Sequence, residues 1–335
     1  MLSLSIPALY APFEERINPG VRLIAYRTQQ WVSLYQLHSD DNFDTYVDEG
    51  LSWMTARFYP SATLERLSLT DRFNTLLFAL DDLMDHHDHK SEVISSRQRF
   101  EAYIDRCMKI MNGKKLDLPP TGHLSALENI WASITAMTST AWQLRFCAGI
   151  KHMFDAALWS HDNVAANRLP SISEFYKMRP FLGAANTSTD MIEFCENVHL
   201  PASIRELPSI QELTRLCQIT VCLANDLFSL SKEMAHKDKH NMVTIVQSEL
   251  DLSLEDAIDY TVSMHDNDVR KFIRLAQTIP DHGRQRSALR KYIRCLTALM
   301  RGNIDWSISE TGRYHFTYQY PALAQSNRTV LVPVP

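Results

Sequence analysis

The sequence lacks long runs of basic residues and long apolar stretches. Its 34 Lys and Arg are outnumbered by 39 Asp and Glu, which gives a formal net charge of −5. Proteins that bind nucleic acid present clustered cations, so this balance argues against a nucleic-acid partner. No stretch reaches the roughly 18 apolar residues of a membrane span, and the N-terminus lacks the basic and apolar regions of a signal peptide. We therefore expect a cytoplasmic protein without a membrane span.

Glycine and paired cysteines are also scarce. The chain has 9 Gly, and its 14 Pro are scattered apart from the C-terminal end, so no flexible linker divides it. We expect one domain over residues 1–325 and a flexible tail over residues 326–335. The cysteines lack the CxxC pairs of zinc sites and the dense spacing of secreted disulfide frameworks. We expect reduced core thiols at Cys107, Cys147, Cys195, Cys217, Cys222 and Cys295.

Helical periodicity is the dominant pattern that the sequence does contain. Apolar residues recur at intervals of three, four and seven over long segments, which predicts amphipathic helices. Period-two alternation of β-branched residues, which is typical of strands, is hardly seen. Ser171 followed by Glu174 predicts a helix start with a capping box. We predict an all-α chain of roughly ten or more helices. The clearest helical segments are Leu67–Met84, Leu124–Phe154, Ile210–Met234, Leu254–Met264 and Val269–Met300.

A first acidic motif lies at the end of one of these segments. Asp81 and Asp85 are four residues apart and share a helix face, with Asp82 beside them. Like charges so placed repel, so the cluster predicts a hard divalent cation that neutralises it. Two alternatives stay open. One is a solvated helix end without metal, and the other is a surface site for zinc, copper or nickel, which imidazole suits better, at His86, His87 and His89.

A second motif places three oxygen donors on one helix face. Asn225, Ser229 and Glu233 stand at positions i, i+4 and i+8 of a helical segment, so their side chains project from the same side. An amide oxygen, a hydroxyl and a carboxylate form a ligand set of low charge. Magnesium favours such a set when it keeps several waters and takes further ligands from a phosphate. The second motif therefore predicts a magnesium site.

Together the two motifs resemble those of class I terpene synthases of the bacterial type. That family carries an aspartate-rich DDxxD motif and, much later, NDxxSxxxE, and both occur here in the expected order. The resemblance implies an all-α, single-domain bundle around a central apolar cavity. It covers nearly the whole chain, because further segments match, among them Phe58-Tyr59-Pro60, His240-Asn241-Met242-Val243 and Thr311-Gly312-Arg313-Tyr314.

The resemblance also implies roles for individual residues. Arg179 takes the position of the diphosphate-sensing arginine, and the effector is a backbone carbonyl at Gly183, with Ala184 as the alternative. Leu182 departs from the small polar linker that relatives often have. The implied metal ligands are Asp81, Asp82, Asp85, Asn225, Ser229 and Glu233. The implied substrate contacts are Arg179, Lys232, Arg313 and Tyr314 for the diphosphate, and Phe78 and Trp306 for the carbocation.

The implied activity is magnesium-dependent ionisation and cyclisation of an isoprenoid diphosphate. We expect farnesyl diphosphate as substrate, a sesquiterpene as product, three Mg²⁺ ions that Mn²⁺ can replace, and a monomer or homodimer. Geranyl and geranylgeranyl diphosphate are alternative substrates. A chain-elongating prenyltransferase would normally carry a second aspartate-rich motif. A non-catalytic protein that binds isoprenoid diphosphates would not need Arg179, Arg313 and Tyr314 beside both motifs.

Overall fold

The computed structural model describes residues 4–38, 43–84, 96–280 and 283–320. These residues form fourteen α-helices and two short strands, which confirms the predicted all-α class. In chain order the elements are β1 (Leu4–Pro7), α1 (Val21–Tyr35), α2 (Phe43–Asp48), α3 (Leu51–Phe58), α4 (Leu64–Met84), α5 (Arg97–Met111), α6 (His123–Thr135), α7 (Thr140–Ala165), α8 (Ile172–Leu182), α9 (Ala185–Cys195), α10 (Ala202–Arg205), α11 (Pro208–His236), α12 (Met242–Leu250), α13 (Leu254–Thr278), α14 (Arg286–Ser309) and β2 (Phe316–Gln319).

The longest helix, α11, spans 29 residues and packs against α8, α9, α10, α12, α13 and α14. It begins with Pro208, which costs no hydrogen bond in a first helical turn. It ends at Lys237, whose backbone adopts the left-handed conformation common after helix ends. Apolar residues along the helix, such as Leu213 and Phe228, are fully buried. The packing of α11 against these helices supports the polar face that it presents to the interior of the bundle.

Helix α8 starts as the sequence predicts and ends at a sharp break. Ser171 Oγ accepts a hydrogen bond from the Glu174 N–H at 3.2 Å, and Glu174 Oε2 accepts one from the Ser171 N–H at 2.9 Å. This pair forms the predicted capping box. Helix α9 starts after Ala184, which has a φ of 52°. The two helices therefore meet at a break whose backbone faces the interior of the bundle.

A two-stranded parallel sheet joins the N-terminal segment to the C-terminal segment. Strand β1 pairs with β2 in a register that aligns Leu4 with Phe316 and Pro7 with Gln319. The ring of Phe316 stacks on Phe228 of α11, with 4.8 Å between centroids. These strands were not predicted from the sequence, because four residues are too few for a periodic pattern. The sheet fastens the segment after α14 onto the bundle.

Other sequence predictions concern the whole chain. All six cysteines are buried and free, which confirms the prediction of core thiols. Among the described helices, none combines the length and apolar character needed to cross a bilayer. The tail over residues 326–335 lies outside the described residues. The single domain over residues 1–325 therefore stays a prediction.

Candidate active site

A cavity of about 300 Å³ lies among α3, α4, α5, α7, α8, α9, α11 and α14. This volume is at the lower end of the range for small-molecule sites. The opening lies beside Asp81 and His236, because both residues line the cavity and are exposed to solvent. The cavity thus has a polar rim and an apolar wall. Buried apolar side chains of the wall include Met54, Phe58, Leu80, Phe100, Met153 and Trp306.

Most residues that the sequence predicts for the site lie around this one cavity. Of the thirteen, Asp82 lies at the rim without lining the cavity, and Asp85 lies outside the described residues, as do His86, His87 and His89. The convergence of residues from α4, α8, α11, α14 and the segment before β2 defines the candidate active site. The eleven lining residues are Phe78, Asp81, Arg179, Gly183, Asn225, Ser229, Lys232, Glu233, Trp306, Arg313 and Tyr314.

The polar face of α11 is ordered by hydrogen bonds. Asn225 Nδ2 donates to the hydroxyl of Tyr314 at 2.8 Å, so the acceptor of this side chain is Oδ1. Ser229 Oγ lies 2.7 Å from Glu233 Oε1 and 2.8 Å from the Asn225 carbonyl oxygen. A hydroxyl has one hydrogen, so it donates to one of them at a time and keeps two lone pairs. We call Asn225, Ser229 and Glu233 the α11 metal face.

The donors of the α11 metal face fit a hard divalent cation. They comprise an amide oxygen, a hydroxyl and a carboxylate, and none contributes a sulfur or an imidazole nitrogen. Burial raises the pKa of Glu233 to about 7, and the nearby Asp226 carboxylate adds to the effect. A bound cation would place a positive charge beside this carboxylate and so favour its ionised form. The chemistry of the donors therefore fits the predicted metal site.

Asn241 contacts the same carboxylate from the start of α12. Its Nδ2 donates to Glu233 Oε2 at 2.7 Å and to the carbonyl oxygen of Asp226 at 2.7 Å. The two carboxylate oxygens of Glu233 therefore have different partners, Ser229 on one side and Asn241 on the other. Both contacts restrict the orientation of the carboxylate.

Arg179 forms a buried ion pair at the edge of the α11 metal face. Its Nε donates to Asp226 Oδ1 at 2.8 Å, and its Nη2 donates to Asn225 Oδ1 at 2.9 Å. Burial disfavours the charged guanidinium, but the adjacent Asp226 carboxylate, together with Cys222 and Glu233, outweighs this effect and raises the pKa of Arg179. Arg179 is therefore charged, buried and bonded directly to a predicted metal ligand.

Gly183 lies against the tip of Arg179. A Cβ atom at position 183 would lie 2.4 Å from Arg179 Nη1 and 3.0 Å from Cys222 Sγ. Gly183 has a φ of −88°, so its backbone conformation is open to any residue. The position thus requires glycine because the guanidinium approaches closely. The left-handed residue at the break is Ala184.

Arg313 is held at the opposite side of the rim. Its Nη1 donates to Glu49 Oε1, and its Nη2 lies 3.5 Å from Asp82 Oδ1. The guanidinium carbon sits over the ring of Phe78 at 5.1 Å from the centroid. Burial disfavours its charge, but the Glu49 carboxylate, together with Tyr314 and the carboxylates of Asp82 and Asp81, outweighs burial and raises the pKa of Arg313. Arg313 therefore links the end of α4 to the segment before β2.

An aromatic cluster continues from Arg313 into the cavity. The rings of Phe78 and Trp306 meet edge to face with centroids 6.4 Å apart, and those of Trp306 and Tyr314 are 5.7 Å apart. The indole N–H of Trp306 donates to the carbonyl oxygen of Gly50 at 2.9 Å. Its polar group is thereby satisfied, and the ring can present carbon atoms to the cavity.

Three residues that form hydrogen bonds to side chains of this site were not assigned a role from the sequence. Asp226 belongs to the second motif, but its partner Arg179 is 47 residues away. Asn241 was noted only within a matching segment. Glu49 lies in the short turn between α2 and α3 and belongs to no motif, so no signal in the sequence pointed to it. All three contacts join segments that are distant in sequence or lie in loops.

Comparison with known families identifies the class of protein. The profile of terpene synthase family 2, C-terminal metal binding, matches residues 72–271, which is more than half of the chain. The chain belongs to this family. It is therefore a terpene synthase, an enzyme of a metal-binding family, as its motifs predict.

The chain is similar to individual relatives over nearly their whole length. The chain is 28% identical to (+)-T-muurolol synthase of Roseiflexus castenholzii, with 93% of this chain and 94% of the relative covered. It is 28% identical to (+)-eremophilene synthase of Sorangium cellulosum, with 90% and 91% covered. The structure of linalool/nerolidol synthase from Streptomyces clavuligerus matches with a TM-score of 0.79 at 19% identity, covering 90% of this chain and all of that one. The last comparison supports the fold.

Proposed function

We propose that this terpene synthase ionises farnesyl diphosphate with Mg²⁺, cyclises the carbocation to a sesquiterpene and releases diphosphate. The observation that carries the proposal is the joining of the α11 metal face to Arg179 and Tyr314 by hydrogen bonds at the rim of an apolar cavity. The choice of substrate is supported by (+)-T-muurolol synthase, whose name states that it cyclises (2E,6E)-farnesyl diphosphate.

In this proposal the metal ligands come from both sides of the rim. Asn225, Ser229 and Glu233 would hold one Mg²⁺, and Asp81 with Asp82 or Asp85 would hold the others of a three-ion set, which Mn²⁺ could replace. The bound ions supply positive charge that stabilises the departing diphosphate. The exposed position of Asp81 and Asp82 leaves room for metal-bound water, which magnesium usually keeps.

The cationic side chains of the rim take the diphosphate oxygens. Arginine binds phosphate through two parallel N–H donors, and Arg179 and Arg313 are both charged and close to the proposed ligands. When Asn225 Oδ1 and Asp82 Oδ1 act as metal ligands, each arginine loses one acceptor. Their N–H groups are then available to the substrate. Lys232 and the hydroxyl of Tyr314, which also line the cavity, complete the diphosphate site.

The backbone at the break between α8 and α9 supports Gly183 as the effector carbonyl. The carbonyl oxygen of Ala184 accepts hydrogen bonds from the N–H groups of Thr187 and Ser188 in the first turn of α9. It is therefore engaged in the helix. Gly183 lies against the Arg179 guanidinium, so movement of that arginine toward diphosphate is transmitted to the Gly183 backbone.

The apolar wall determines what happens after ionisation. A carbocation reacts with water, so the wall must exclude solvent while the chain folds onto itself. The faces of Phe78 and Trp306 carry negative quadrupoles, and each stabilises a nearby cation by about 0.5 to 2 kcal/mol. The wall thereby favours ring closure over capture by solvent.

The direct test is turnover of three substrates. Purified protein with Mg²⁺ is incubated separately with geranyl, farnesyl and geranylgeranyl diphosphate, and organic extracts are analysed by gas chromatography with mass detection. We expect a cyclic sesquiterpene from farnesyl diphosphate, and far less of it with the variant Glu233→Gln. Absence of any terpene product would contradict the proposal. A longer prenyl diphosphate after addition of isopentenyl diphosphate would indicate chain elongation.

A further inference from the structure

We propose that Asn241 is a positioning residue that orients the Glu233 carboxylate for the metal ion. The inference rests on the proposed function because it takes Glu233 to be a metal ligand. Asn241 lies before the first residue of α12 and is fully buried. It does not line the cavity, so its role would be exerted through Glu233.

All hydrogen-bonding groups of the Asn241 side chain are in use. Its two N–H donors go to Glu233 Oε2 and to the Asp226 carbonyl oxygen, each at 2.7 Å. Its Oδ1 accepts from the Val243 N–H at 2.8 Å, which caps the start of α12. Rotating the amide by half a turn would set its oxygen against two acceptors. The orientation of the amide is therefore fixed by its surroundings.

The same contacts fix the carboxylate of Glu233. A glutamate side chain has three rotatable bonds, so a free carboxylate samples many directions. Ser229 lies on one carboxylate oxygen and Asn241 on the other, and each oxygen keeps a lone pair for another partner. A ligand held in this way loses less freedom when it binds a cation, as residues behind metal ligands commonly ensure.

The segment around Asn241 is itself fastened to the site. The Met242 N–H donates to Asp226 Oδ2 at 3.1 Å, and Asp226 Oδ1 pairs with Arg179. On the other side of Asn241, His240 Nδ1 lies 2.6 Å from the hydroxyl of Ser160 on α7. The start of α12 thereby supports both Glu233 and the ion pair of Arg179.

A helix cap alone does not explain the geometry of Asn241. Capping uses only its oxygen, whereas the contact with Glu233 uses the amide nitrogen. The variant Asn241→Ser separates the two, because serine caps as well as asparagine but is too short to reach Glu233. Asn241→Thr also caps and fills more of the buried space. Ser253→Ala provides the control, because it removes only a cap, that of α13.

The test measures binding of Mn²⁺ alone from the spectrum of the free ion by electron paramagnetic resonance. We expect Asn241→Ser to weaken Mn²⁺ binding about 10- to 100-fold, the range for residues behind metal ligands. The Mg²⁺ concentration for half-maximal turnover of farnesyl diphosphate should rise by a similar factor. Ser253→Ala should lower the melting temperature and leave Mn²⁺ binding unchanged. Should Asn241→Ser fail to fold, Asn241→Thr takes its place with the same expectation.

The outcomes separate this inference from the proposed function. Wild-type Mn²⁺ affinity in a folded Asn241→Ser or Asn241→Thr protein would overturn the positioning role. Failure of the wild-type protein to convert any diphosphate would overturn the proposed function, whereas the Mn²⁺ measurement would still test Asn241. Parallel loss of Mn²⁺ affinity in Ser253→Ala would also contradict the inference, because it would trace the effect to general destabilisation.

Discussion

Two regions of the cavity rim carry the proposed metal ligands, and their surroundings differ. The α11 metal face lies on a helix packed by six others, and its side chains are bonded to Arg179, Tyr314 and Asn241. Asp81 and Asp82 lie near the end of α4 and are exposed to solvent. The side chain of Asp82 is 42% exposed and reaches Arg313 at 3.5 Å.

The difference indicates that the two regions contribute to metal binding in different ways. The α11 metal face is oriented by its hydrogen-bond partners, and the desolvation of its carboxylate is visible in the raised pKa of Glu233. Carboxylates at an exposed helix end stay in contact with water, and their side chains can change orientation to bind a metal ion. We infer that the α11 metal face sets the position of the metal and that the end of α4 contributes adaptable ligands.

The largest expected effect comes from the α11 metal face. Glu233→Gln retains the shape of the side chain but removes its charge, so kcat/KM for farnesyl diphosphate should fall on the order of 10³-fold. Circular dichroism should stay that of the wild-type protein. Glu212→Gln on the same helix is the matched control, because Glu212 pairs with Arg215 outside the cavity. Equal loss in both variants would show that α11 is merely sensitive to substitution.

The second largest effect concerns the ion pair beside that face. Arg179→Lys keeps the positive charge but loses the fork that joins Asp226 and Asn225, so kcat should fall on the order of 10²-fold. Arg145→Lys is the matched control, because Arg145 contacts both oxygens of Glu193 outside the site. Near-wild-type kcat in Arg179→Lys would contradict this prediction, because it would show that Arg179 has only a structural role.

The pH dependence of metal binding should come from the buried region. Burial raises the pKa of Glu233 to about 7, so a proton occupies the carboxylate below that pH and competes with the metal. Affinity for Mn²⁺ should fall about tenfold for each pH unit below about 7 and level off above it. Titrations from about pH 5.5 to about pH 8 test this expectation. An affinity independent of pH would contradict the assignment of Glu233 as a ligand.

The smallest effect is expected at the exposed end of α4. Asp82→Asn keeps an oxygen that can bind a metal ion and removes the charge of an exposed partner of Arg313. Because exposed ion pairs contribute about 1 kcal/mol or less, kcat/KM should fall only about two- to fivefold. Asp81→Asn should have a larger effect, because Asp81 lines the cavity. Steady-state kinetics of both variants with farnesyl diphosphate check the order. A loss at Asp82 as large as that of Glu233→Gln would remove the distinction between the two regions.

The local parts of this site could be predicted from sequence. Asn225, Ser229 and Glu233 fall on one face because helical periodicity alone places them there, and the structure shows them on α11. The all-α class followed from the same periodicity. The position of Arg179 came from resemblance, since spacing along the chain does not show which helices pack together.

Contacts between distant segments could not be predicted. Glu49 meets Arg313 across 264 residues, and β1 pairs with β2 from the other end of the chain. The need for glycine at position 183 arises from the approach of a side chain, whereas a sequence suggests only backbone freedom. Such features depend on how helices pack, and a single sequence does not show this.

The central claim is that the α11 metal face binds a divalent cation in its present geometry. A crystal structure with Mn²⁺ and inorganic diphosphate, using the anomalous signal of manganese, tests it most directly. We predict a manganese peak bound by Asn225 Oδ1, Ser229 Oγ and the Glu233 carboxylate, with Arg179 in contact with diphosphate. Manganese found only at the end of α4, with Arg179 still bonded to Asn225, would contradict the account.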